Sequence, residues 1–274
     1  IGVLLPFGDK FEVYNLEDFS LEQDVTASIN SSMPENIQSS SFVMKPAILA
    51  AAYAVNKVRI ISPNQEVRDF EVGTSKIRNL QFSRNAKLLV VANDAGVINV
   101  FEIETGKIRH KLNTGESVRR VTISNDGSIL FCNKSDRTYS SWDLSTGKKI
   151  NNYPSLRQGS RGLIITPDNK IVSTVTLDGV GKLWDLHTGE TLSDIKGSLL
   201  AFHSLDIMPD GKRLLAATGE GDIIVWDVPT GKELTRIQVG EGGVQKIVAL
   251  PDNNTVVSIG FGGRIIKWQA KAFN

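Results

Sequence analysis

Cysteine is nearly absent from this 274-residue chain, where Cys132 stands alone. No intrachain disulfide can form, which suits a reducing compartment, with a weak lean to a cytoplasmic one, and leaves an oxidising one open. Long apolar runs are missing too. None approaches the roughly 18 residues of a membrane-crossing helix, so no membrane span is expected. Neither sign of charge is in excess, with 31 Lys and Arg against 30 Asp and Glu. A near-neutral chain carries no electrostatic footprint for duplex nucleic acid or an anionic membrane, and nucleic acid is not an expected partner. Histidines are scarce: His110, His187 and His203 lie far from one another and from Cys132. They offer no clustered ligand set, so no metal site, nucleophile or cofactor is expected. A 3.6-residue apolar period is also lacking, which excludes all but a trace of helix.

What the chain does have is a repeat. Gly179–Glu190 reads GVGKLWDLHTGE, an apolar strand running into Trp-Asp and then a Thr-Gly turn. The same phrase ends at Lys148 and at Lys232, and a worn copy ends at Lys107. Its anchors, Phe101, Trp142, Trp184, Trp226 and Trp268, lie 41, 42, 42 and 42 residues apart. Such regular spacing marks an array of one supersecondary unit. Sixteen residues before each anchor stands a turn residue: Asn85, Asp126, Asp168, Asp210 or Asp252. Gly or Asn one place later, and Pro before several of them, suit a tight type I turn. Short apolar strands flank that turn, and an amphipathic strand follows each Thr-Gly. Each period therefore holds four antiparallel strands, a to d. The template extends upstream to Ile60 and, one period earlier, to Tyr14.

The Trp-Asp ending of strand c, the Thr-Gly turn and the four-strand period resemble the WD40 repeat family. The resemblance is specific over residues 77–270 and weaker over 1–76. It implies an all-β fold, a seven-bladed β-propeller of four-stranded antiparallel blades, as one domain over 1–274. The expected divisions are a partial blade over 1–25, a long d–a loop over 26–41, blades over 42–72, 77–112, 118–153, 161–195 and 203–239, and a partial blade over 244–274. The first and last blades would be incomplete in this chain. The spacing leaves about 23 residues to close the ring, by the repeat argument. That predicts further polypeptide upstream of Ile1. The tryptophans and their counterparts are expected to be structural, packed between sheets. One family feature is missing: no Gly-His pair occurs anywhere. Asp136 and Asp178 can still cap b–c turns, but the blades must lean on apolar packing more than on a His-centred polar network.

No string typical of a serine hydrolase elbow, a zinc protease helix or a phosphate loop is present. The Gly-rich pieces at 219–222, 240–243 and 260–263 connect strands and open no helix, so they read as turns. The periodic Asp residues stand alone about 42 residues apart, too scattered for calcium loops, which gather their oxygens within a dozen residues. Cys132 reads as a buried small hydrophobe. Asn30, Asn133 and Asn253 fall in glycosylation strings of the kind that occur by chance.

The expected function is a non-catalytic scaffold that binds another protein or another domain of the parent chain. An enzyme or small-ligand binder using the central channel is the alternative. In WD40-like rings the d–a and b–c connections share one end. There the Thr26–Ser41 insertion, Arg137 and Tyr139, Arg157 and Arg161, and Leu200, Phe202 and His203 are the candidate partner-binding residues. Leu199–Phe202 is unusually apolar for a connection, and Phe202 would anchor a partner inside an arginine rim. Burial of Phe202 under its own blade is the opposing expectation.

Overall fold

The computed structural model describes residues 2–7, 10–15, 21–24, 39–44, 47–62, 66–197, 201–240, 243–261 and 264–269. The chain forms two compact units, 1–135 with 143–148 and 136–142 with 149–274. In the first, β1 (Gly2–Phe7), β2 (Lys10–Asn15) and β3 (Leu21–Asp24) make an antiparallel sheet. Next come β4 (Ser39–Met44), β5 (Ala47–Tyr53), β6 (Lys57–Ile61) and β7 (Val67–Glu71). They are followed by β8 (Ile77–Phe82), β9 (Leu88–Asn93), β10 (Val97–Glu102) and β11 (Ile108–Asn113). A hairpin of β12 (Val118–Ile123) and β13 (Ile129–Lys134) completes the unit.

The second unit opens with the hairpin β14 (Tyr139–Asp143) and β15 (Lys149–Tyr153). It continues with β16 (Ser160–Ile165), β17 (Ile171–Thr176), β18 (Val180–Asp185) and β19 (Thr191–Lys196). Then come β20 (Phe202–Ile207), β21 (Arg213–Thr218), β22 (Asp222–Asp227) and β23 (Glu233–Gln238). The three strands β24 (Val244–Ala249), β25 (Thr255–Gly260) and β26 (Ile265–Gln269) follow. Every pairing is antiparallel between consecutive strands, and the described residues contain no helix.

The repeat motifs are explained by their hydrogen bonds. Asp143 accepts from the Ser145 and Thr146 amides at 2.7 and 3.2 Å, and Asp185 from those of His187 and Thr188 at 2.9 and 2.8 Å. Asp227 takes the Thr230 amide at 3.1 Å. The carboxylate thus caps the turn that follows the tryptophan, and the Thr-Gly pair lets the chain reverse. Gly106, Gly147, Gly189 and Gly231 all have positive φ, from 66 to 79°. Each of these glycines is also overlaid by the fourth strand of the preceding period: Phe70 on Gly106 and His110 on Gly147 in the first unit, Asn151 on Gly189 and Ser193 on Gly231 in the second. A Cβ would strike His110 at Gly147 and Ser193 at Gly231, would press on Phe70 at Gly106, and would make an ordinary contact with Asn151 at Gly189.

The a–b turns match the turn chemistry expected. The residue after the turn carboxylate or amide is left-handed in each: Ala86, Gly127, Asn169, Gly211 and Asn253, with φ between 55 and 77°. Within each unit the first strands of successive sheets stand side by side. Leu80 and Phe82 amides donate to the Ser39 and Ser41 hydroxyls at 3.3 and 3.1 Å, and the Val121 amide to Asn79 at 2.9 Å. In the second unit the Ala249 amide reaches Asp206 at 2.8 Å. Those serine contacts are why β4 starts at Ser39, within the stretch expected to be loop as far as Ser41. Thr26–Gln38 lies outside the described residues.

Ile60, Phe101, Trp142, Trp184 and Trp226 are buried, and Trp268 is half-buried. Tyr14 sits on β2, where β2 and β3 shift register between Val13 and Tyr14, as at Phe101, Trp142, Trp184 and Trp226 but not at Ile60. Part of the polar network survives without Gly-His. Trp268 Nε1 donates to Ser258 at 2.8 Å, Ser160 and Thr174 share a bond of 2.8 Å, and Thr176 donates to Asp178 at 2.5 Å. Cys132 is fully buried on β13, and neighbouring Asn133 is 2% exposed, which removes it as a glycosylation acceptor.

Candidate protein-binding surface

One end of the second unit carries the b–c turns and d–a connections. Each is positioned by the backbone bond that closes it: the Leu156 amide on the Arg137 carbonyl, Leu177 on Gly159, and Gly219 on Ala201, at 3.3, 3.3 and 3.0 Å. The residues expected from the sequence separate into two groups there. Arg137, Arg157 and Arg161 are exposed. Arg137 Nη1 donates to the Arg157 carbonyl at 2.5 Å. His203 is half-buried at the start of β20, its ring edge-on to Phe261 with centroids 5.0 Å apart. Desolvation, with the nearby Arg161 charge, holds the His203 imidazole below its ordinary pKa.

Two expected contact residues are corrected. Phe202 is 0% exposed and packs edge-on against Trp226 at 5.8 Å, in a cluster with Val175, Leu183 and Leu214. Strand alternation turns its ring into the sheet interior, so a partner cannot reach it. Tyr139 is also fully buried, 5.1 Å from the Trp184 ring, and burial pushes its phenol up to about 12. It is a packing residue. Leu200 lies outside the described residues.

Two exposed side chains were missed. Leu177 and Phe261 are 39% and 54% exposed. Both directly follow the last residue of a second strand, at the b–c turn, a place that Asp94, Ser135 and Gly219 hold in other periods. A large apolar residue at a turn position held elsewhere by small or polar residues was the available signal. Single exposed hydrophobics are common, but these two stand at the end that also carries the exposed Arg137, Arg157 and Arg161, the composition of an interface centre and its rim.

Among the described residues no group of three or more His, Cys, Asp and Glu side chains is placed to hold a metal ion. Nor is any helix among them long and apolar enough to cross a membrane.

Comparison with known proteins gives the class. The family model of the anaphase-promoting complex subunit 4 WD40 domain matches residues 64–122. The crystal structure of the computationally designed Ika8 protein superposes with a TM-score of 0.74 at 20% identity, over 97% of this chain and 82% of that one. No curated protein matches. These findings, with the Trp-Asp and Thr-Gly anatomy of the sheets, support the resemblance to WD40-repeat β-propellers. At that identity the structural likeness speaks to fold alone.

Proposed function

We propose that the chain is a non-catalytic protein–protein interaction scaffold, folded as a seven-bladed ring, that holds another protein or another domain of its own polypeptide. The observation that carries this reading is the pair of exposed apolar side chains, Leu177 and Phe261, at the b–c and d–a end that also exposes Arg137, Arg157 and Arg161. WD40 architecture adds support, because its rigid sheets offer turns as a fixed surface on which binding residues can vary. The seven-bladed count rests on the seven anchors from Tyr14 to Trp268 and on the sheets built around them.

The test is affinity capture from a lysate of the source organism with the wild-type chain and with Leu177→Ser/Phe261→Ser. Both substitutions fall on exposed side chains, so folding should persist. A partner retained by the wild type and lost by the variant is the expected result. A wild-type chain that retains no protein, or a variant that retains it equally, would overturn the reading. Stabilisation by a metabolite pool with no protein captured would favour the channel-ligand alternative.

A further inference from the structure

We propose that this surface recognises an acidic peptide segment, its carboxylates held by Arg137, Arg157 and Arg161 and its apolar side chains set against Leu177 and Phe261. The proposal rests on the scaffold reading above and names the chemistry of the partner. It starts from a bulge that recurs in five consecutive periods. The first strand of each skips one residue in its pairing with the second: Arg78 and Arg119 in the first unit, Arg161, His203 and Gln245 in the second. A bulged residue is left out of the ladder and its side chain is re-aimed. Here the re-aimed side chains include three arginines and a histidine, in a chain whose net charge is only +1.

Arg137 adds a second, independent feature. It has a left-handed backbone, φ 67°, in a b–c turn where Gly96, Gly179 and Gly221 hold the same place with φ of 74, 73 and 92°. At Gly96 a Cβ would lie 2.6 Å from the Glu116 carbonyl, and at Gly221 it would strike that of Gly240. Those d–a connections exclude a side chain. In the period of Arg137 the connection runs through Pro154–Gly159 and leaves room for one. A left-handed arginine carries backbone strain that glycine would avoid. Strain kept on an exposed cation is the kind of outlier that points to a binding role.

Ion pairing is a third feature. Two other guanidinium groups of the second unit are paired: Arg213 with Asp210 at 3.8 Å, and Arg236 with Glu233 at 3.2 Å and Asp222 at 3.4 Å. Among the described residues Arg137, Arg157 and Arg161 pair with no carboxylate. Planar guanidinium forks match carboxylates two bonds at a time, so the surface is complementary to Asp and Glu. The apolar pair favours a peptide over a nucleic acid, which would call for stacking aromatics along a longer cationic track.

The test uses fluorescence anisotropy with three labelled probes: a ten-residue polyglutamate peptide with one central Phe, its glutamine counterpart, and an oligothymidylate of equal charge. The wild-type chain should bind the acidic peptide at least about tenfold more tightly than the glutamine one, and more weakly as salt rises. Arg157→Glu/Arg161→Glu should lose about tenfold or more of that affinity, as charge reversal at a binding rim does, with unchanged melting temperature. Failure of the acidic peptide to bind, equal binding of the glutamine peptide, or undiminished binding by the folded variant would overturn the proposal. Equal or tighter binding of the oligothymidylate would overturn it in favour of a nucleic-acid surface. If the lysate partner is still lost with Leu177→Ser/Phe261→Ser while the acidic peptide fails, only the acidic chemistry falls. If neither probe nor partner binds, both readings fall.

Discussion

Gly147→Ala tests how successive sheets are coupled. Gly147 sits at φ 71°, and a Cβ there would lie 2.7 Å from His110 Nδ1 and 3.2 Å from Cγ and Cε1. The backbone alone should cost about 1–2 kcal/mol, the left-handed penalty for a residue with a Cβ. A tighter unfolded ensemble returns about 0.4–1 kcal/mol of that. Crowding His110, whose Nε2 is buried, should add about 1–3 kcal/mol, as overpacking does. The control is Gly115→Ala, at φ 81° with nothing within 4 Å of the new Cβ, which feels the backbone effect alone. Urea melts followed by tryptophan fluorescence and circular dichroism, with coincident transitions, give the free energies. Gly147→Ala should be the more destabilising by about 1–3 kcal/mol, and His110→Ala in the same chain should remove most of the excess, a coupling seen only between residues in contact. Equal losses for the two alanine variants, or an excess untouched by His110→Ala, would refute this packing.

Trp184→Ala should cost about 3–5 kcal/mol in the same melts, since the ring is fully buried between Tyr139 and Tyr153, and a loss under about 1 kcal/mol would contradict its anchoring role. Arg137→Gly should raise stability by up to about 1 kcal/mol by releasing left-handed strain, while weakening the acidic peptide. Because the folded pKa of His203 is lowered, the unfolded chain protonates first on acidification. Its contribution to stability is therefore full above the ordinary histidine range and shrinks as pH falls through it, and His203→Gln should flatten that slope in melts across pH 5–8. Asp143 and Asp185 are held below the usual carboxylate range by the turn hydrogen bonds from Ser145 and Thr188, so the stability they give is present above that range and lost as pH falls through their lowered values. Asn at both positions should reduce the acid sensitivity of the melt.

The repeat was legible because each sheet uses the same local solutions. A carboxylate caps a Thr-Gly turn, a left-handed residue closes each a–b turn, and a large side chain fills the sheet interior. Those leave residue types at fixed intervals, and from Ile60 onward the strands fall where the intervals put them. The exposed surface was less legible. Phe202 and Tyr139 lie beside turns in the sequence, yet strand alternation sends both inward, and one residue of shift would reverse that. Beside Phe202 the bulge at His203 sets that shift, and no composition rule marks it. Phe261 and Leu177 were overlooked because a lone apolar residue at a turn carries no periodic signal. The start of β4 moved because its own serine hydroxyls accept from backbone amides of a neighbouring sheet, a contact invisible along the chain.

Amide hydrogen exchange of the chain, free and with its captured partner, tests the location and nature of binding most directly. Binding at the b–c and d–a end should slow exchange at residues 136–138, 155–162, 177–179 and 202–204 and leave the Thr-Gly turns at 146–148, 188–190 and 230–232 unchanged. Protection confined to those Thr-Gly turns, or no protection at either end, would contradict a docking surface built on Arg137, Arg157, Arg161, Leu177 and Phe261.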